Sequence, residues 1–125
     1  MSWKGTEERT QISDAALTAI GTVTINAGAT DLWADVYNSD AAFSDFDVSV
    51  KGHEDGAWHI IANATSDFTT TIQAPIKGVN VNPITLTKAS NSLVWMDVKG
   101  LYQARFRAKC NVDSDTYAIL RWQVR

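Results

Sequence analysis

The sequence predicts an all-β protein: a single antiparallel β-sandwich, jelly-roll-like or immunoglobulin-like, with an N-terminal extended arm. Three observations carry this expectation. Valine, isoleucine and threonine together number 32, against 6 leucines and 3 glutamates; β-branched side chains are stiff at χ1 and pack well on a pleated surface. After Gly21 the apolar residues recur with a period of two, the signature of half-buried strands. About nine such segments follow one another at short intervals, each bounded by turn residues, which is the punctuation of a sandwich.

Residues 1–19 are polar and begin with an isolated Trp3, so they read as an arm, and residues 20–125 as the sandwich domain. Within the arm only "SDAALTAI" has the character of a turn or two of helix, with Ser13 or Asp14 as N-cap. The predicted strands are "TVTIN", "LWADVY", "FSDFDVSV", "AWHIIA", "DFTTTIQ", "ITLT", "LVWMDV", "LYQARFRAKC" and "TYAILRWQV". The segments between them, such as "KGHEDG", "APIKGVNVNP" and "NVDSD", are rich in Gly, Asn, Asp and Pro and are expected as turns.

The C-terminal segments give the sharpest expectation. In "LYQARFRAKC", Tyr102, Ala104, Phe106, Ala108 and Cys110 share one side, while Leu101, Gln103, Arg105, Arg107 and Lys109 share the other. In "TYAILRWQVR" the inward set is Ala118, Leu120, Trp122 and Val124. A hairpin through "NVDSD" with Cys110 opposite Thr116 keeps both apolar sets on one face and sets Arg105 opposite Arg121 outside. Like charges across a ladder cost up to about 1 kcal/mol. The expected compensation is an internal carboxylate such as Asp97, or an acidic surface on a partner. If Lys99-Gly100 is a two-residue turn, Trp95 faces the core; a three-residue turn turns it outward.

Composition bounds the function. A chain of 125 residues is one domain, and 45% apolar with 20% charged residues is an ordinary globular balance. The start lacks an apolar signal segment and no apolar run reaches spanning length, so neither membrane insertion nor secretion is expected. The one cysteine, Cys110, lies on an apolar side and is expected as a buried thiol in a protein made in a reducing cytoplasm. The net charge of −3 is unevenly spread. Residues 31–67 hold eight acids and one cation, and residues 99–125 hold six cations and two acids. Such asymmetry steers association, including association between copies, or neutralises within the fold.

No catalytic constellation is present, so the chain is expected not to be an enzyme and to need no cofactor. No G-x-S-x-G elbow occurs. His53, His59, Glu54 and Asp55 lack metal-ligand spacing. Asp45 and Asp47 share a strand face and lack the unlike environments that acid–base pairs need. Asp113 and Asp115 bracket a turn without a calcium-loop pattern.

Five tryptophans are many for this length. Trp33, Trp58 and Trp122 lie in alternating segments and are expected in the core; exposed tryptophans would instead stack on sugar rings. Trp3 stands outside any strand and reads as a docking anchor. A basic sheet also raises nucleic acid as a partner, but the overall acidity and the lack of aromatics beside the cations exclude a stacking platform.

The polar arm "MSWKGTEERTQISD", the Ala/Thr/Val/Asn/Asp-rich strands without catalytic residues, and the strand ending "ILRWQVR" resemble small all-β virion proteins of tailed bacteriophages, especially head decoration (cement) proteins. The resemblance implies a non-enzymatic structural protein, made in the host cytoplasm and located on the capsid surface of the virion. It implies major capsid protein, or another virion protein, as partner, and a homo-oligomer, dimer or trimer. The partner-binding residues expected are Trp3, Lys4 and Arg9 of the arm with Arg105, Arg107, Lys109, Arg121 and Arg125 of the basic face, while the acidic 31–67 region meets sister copies or solvent. A glycan-binding or host-adhesion module, and a tail or neck component, are the alternatives.

Overall fold

The computed structural model describes residues 6–38, 43–65, 70–72, 76–79, 91–110 and 116–125. They form ten strands: β1 (Thr6–Ile12), β2 (Thr18–Thr24), β3 (Asp31–Asn38), β4 (Phe43–Lys51), β5 (His59–Thr65), β6 (Thr70–Ile72), β7 (Ile76–Val79), β8 (Asn91–Asp97), β9 (Gln103–Cys110) and β10 (Thr116–Val124). No helix occurs among the described residues. Two five-stranded sheets result, β1-β10-β3-β8-β7 and β2-β9-β4-β5-β6, called here sheet 1 and sheet 2. All pairings are antiparallel.

The all-β sandwich is therefore what the period-two pattern predicts, and the strand order is that of a jelly roll. The chain crosses to the opposite sheet at each step from β1 to β4 and again from β8 to β10, so sequence neighbours seldom pair. β6 and β7 extend one sheet each at the far edge.

Four expectations are corrected. The arm of residues 1–19 is not separate from the sandwich: Thr6–Ile12 pairs with β10, Glu7 opposite Arg121 and Ile12 opposite Thr116. Its polarity reflects an edge position, where charged side chains guard unpaired backbone groups. "SDAALTAI" is a bend running into β2, with the Ala15 amide donating to Ser13 Oγ at 3.3 Å, a local bond that competes with helix formation. "APIKGVNVNP" contains β7, which pairs with β8 through a bulge. Finally, β9 and β10 do not form a hairpin; they lie in opposite sheets, as do β8 and β9. Gly100 turns the β8–β9 crossing at φ 81°, and the Leu101 amide donates to Val98 O at 3.0 Å. The segments "ITLT" and "NVDSD" lie outside the described residues.

The parity expected of the C-terminal strands nevertheless holds. Ala104, Phe106, Ala108 and Cys110 of β9 are fully buried, as are Ala118 and Leu120 of β10, while Trp122 and Val124 are partly buried against the same core. Met96 and Val98 are also buried, so Trp95 takes the outer face; with β8 and β9 in opposite sheets, neither hairpin turn decides this. Phe46 and Phe106 meet at 6.4 Å between ring centroids in the centre of sheet 2. Gly21 lets the sheets approach: a Cβ there would lie 2.3 Å from Leu120 Cδ2 on the opposite sheet.

Candidate functional site

The jelly-roll order divides the expected basic patch between two faces. Arg105, Arg107 and Lys109 lie on the outside of sheet 2, whereas Arg9, Arg121 and Arg125 belong to sheet 1 and its end. Arg105 and Arg121 are thus not opposite one another, and the predicted repulsion between them does not arise. Trp3 and Lys4 lie outside the described residues.

On sheet 2, β4 supplies the compensation expected from Asp97 or a partner. Antiparallel pairing aligns D-x-D on β4 with R-x-K on β9, so Asp47 opposes Arg107, while Lys109 is the register partner of Asp45. Arg107 grips Asp47 with both ends of its fork: Nε donates to Oδ1 at 2.9 Å, and Nη2 donates to Oδ2. Lys109 Nζ lies 3.2 Å from Asp45 Oδ2. The hydrogen bond to Asp47 holds the Arg107 guanidinium above its ordinary pKa. Asp47 is on the outer face, opposite the core residues Phe46 and Val48, yet only 4% exposed. The mirrored spacing of the two charge pairs was the sequence signal for this ladder.

Arg105 is treated differently. Its register partner on β4 is Ser49, and no carboxylate among the described residues pairs with it. Its guanidinium stacks 4.4 Å from the centroid of Trp58, while Lys51 Nζ sits 5.2 Å from the same ring. Burial and the neighbouring Arg107 charge lower its pKa, against a smaller opposing pull from Asp47. Arg105 Nε and Ser49 Oγ are both buried without a hydrogen-bond partner among the described residues. Ile60, the large exposed hydrophobic residue at 50%, continues this row beyond Ser49. Trp58 is therefore not a core residue; it roofs the outer face.

Sheet 1 carries a second charged and aromatic surface. Arg121 Nε donates to Glu7 Oε2 at 2.7 Å, with both side chains about half exposed, and this bond raises the arginine's pKa. On its other flank Arg121 faces Asp35, whose pKa burial raises despite the arginine's opposing attraction. Arg9 lies 3.5 Å above the Tyr117 ring centroid. Trp33, expected inside, instead stacks on Trp95 outside, with centroids 4.6 Å apart and planes within 9°. Trp95 Nε1 donates to Asp31 Oδ1 at 2.9 Å, and the Arg125 guanidinium stands 5.6 Å from Trp33. A strand whose two sides are both apolar or aromatic, as "LVWMDV" is, does not say which side faces in.

Among the described residues no group of three His, Cys, Asp or Glu side chains is arranged to hold a metal ion. His53 and His59 are both exposed. What the two faces offer is recognition chemistry: planar rings, fixed guanidinium groups and one apolar anchor.

No protein-family model matches the chain, and no curated protein matches it in sequence. Among solved structures, that of the SPBc2 prophage-derived protein YomS resembles it with a TM-score of 0.54 at 12% identity, over 100% of this chain and 98% of that one. The chain therefore shares its fold, from end to end, with a prophage-derived protein.

Proposed function

We propose that the chain is a non-enzymatic structural protein of a bacteriophage particle, a decoration protein that binds the outside of the head shell as an oligomer and stabilises it. The observation that carries the reading is the whole-length fold likeness to a prophage-derived protein at 12% identity. The two outer faces add to it, since tryptophan and arginine beside exposed apolar atoms are the composition of protein interfaces. A protein repeated on a lattice needs only modest contacts per copy, because linked contacts raise effective concentration. A tail or neck position uses the same surfaces.

The test is direct. Particles released from cells carrying this gene are purified, and the chain is quantified against major capsid protein by mass spectrometry. Saturable rebinding of purified protein to particles lacking it, with a gain in heat resistance of the shell, is the expected result. Absence from purified particles overturns the proposal.

A second reading draws on the Trp33–Trp95 stack, which presents indole surface beside Asp31, Gln123 and Arg125 on one outer face. Jelly rolls serve lectins as well as viral shells, and such a platform suits a sugar ring. A saturable tryptophan-fluorescence shift on a panel of glycans supports this reading; no response on any sugar removes it.

A further inference from the structure

The charge bookkeeping of sheet 2 leaves a self-complementary remainder. Of the acids in residues 31–67, Asp31 bonds Trp95, Asp35 faces Arg121, and Asp45 and Asp47 take Lys109 and Arg107. Asp40 and Asp67 lie outside the described residues. Glu54 and Asp55, in the β4–β5 loop, are exposed and hold no ion pair among the described residues. On the same sheet Arg105 is the β9 cation without a carboxylate, fixed on Trp58 with its Nε buried. Ile60, exposed, is the register partner of Ser49 on the adjoining β5, so β4 separates it from Arg105.

We infer that this face binds a second copy of the chain in a two-fold arrangement, the Glu54–Asp55 loop of each copy meeting Arg105 and Trp58 of the other, with Ile60 covered beside them. A two-fold contact requires one patch to carry both halves of the complementarity. Here the cations without an ion pair among the described residues, Arg105 and Lys51, gather at Trp58 on sheet 2, and the exposed carboxylates occupy the loop that joins its β4 and β5. Arginine on tryptophan is hot-spot chemistry, and the Arg105 guanidinium, stacked on Trp58 with no carboxylate among the described residues, can donate to one brought by a second copy. The inference rests on the oligomeric part of the function proposed above. It leaves the face of sheet 1 for the shell.

The test uses the isolated full chain. Sedimentation equilibrium is expected to show a mass rising with concentration from 13.7 kDa toward twice that value. R105E, and separately E54K/D55K, should each weaken the dimer by at least about tenfold, since each sets like charges in contact. Mixing the two variants should restore dimers, because in the mixed pair each reversed charge meets its complement. Circular dichroism and cooperative unfolding verify that each variant is folded; should R105E fail to fold, R105Q takes its place for the loss of dimer, and E54K/D55K still reports. A wild type that stays monomeric at high concentration, or a dimer that both reversals leave unchanged, overturns the inference. A mixture that remains monomeric does so too. Particle binding by a monomeric wild type would preserve the structural role while removing this interface, so the two ideas fail separately.

Discussion

Two ion pairs of similar geometry differ in worth because of where they sit. Asp47 is buried at 4% exposure and held by a two-pronged guanidinium, so Asp47→Ala leaves Arg107 half-buried without its acceptor. The expected loss is about 2–3 kcal/mol, read from urea unfolding. Arg121 and Glu7 are about half exposed, and Arg121→Ala should cost clearly less than Asp47→Ala. Equal losses would contradict the burial argument. Asp35 has the opposite sign from the usual carboxylate. Its pKa is raised in the folded state, chiefly by burial. Its contribution therefore favours folding below the ordinary aspartate pKa and is lost as pH rises through the raised value. Asp35→Asn removes that dependence, so the variant's stability relative to wild type should improve between pH 3 and pH 7. Denaturant midpoints across that range check it, and a relative stability that falls with rising pH would refute the assignment.

At the scale of elements, the sandwich depends on close approach between β2 and β10. Gly21→Ala places a methyl group against Leu120 Cδ2, so this fully buried side chain must shift within the core. Overpacking of this kind costs about 1–3 kcal/mol, measurable as a lowered melting temperature. β1 shows why its element was hard to read. Its side chains are Thr6, Glu7, Glu8, Arg9, Thr10 and Gln11 before the single buried Ile12, so hydrophobic alternation is absent. The strand is specified by partner backbone and by Glu7 meeting Arg121, neither of which is a local property. Deleting residues 1–12 consequently strips β10 of its outer neighbour. Unfolding at lower denaturant and greater light scattering are expected, because the freed edge can pair with other chains; an unchanged midpoint would show that β1 contributes little.

The whole molecule carries its charged groups on two opposed faces, and this changes what a mutation reports. Because Arg105 and Arg121 belong to different sheets, R105E and R121E act on different surfaces and their effects on stability should add. Particle binding that falls with R121E while self-association falls only with R105E assigns one face to each task. If neither variant alters either measurement while both stay folded, the cations are surface charge alone. The thiol gives an independent check on integrity: Cys110 is fully buried on the core side of β9. It should resist a thiol reagent until the sandwich unfolds.

How much was legible in the sequence follows from what each feature depends on. The all-β class, eight of the strand segments and the inward set on β9 and β10 came from alternation, since a residue's face is set by its own backbone pleat. The outward direction of Arg105, Arg107, Lys109 and Arg121 was fixed by the same local geometry. Strand partners were not, because a hairpin and a crossing to the facing sheet leave the same inner parity and differ only in where the next strand lands. That choice is made by the collective packing of two sheets. It separated Arg105 from Arg121, gave Arg107 to Asp47, and turned Trp33, Trp58 and Trp95 outward onto one another or onto arginine.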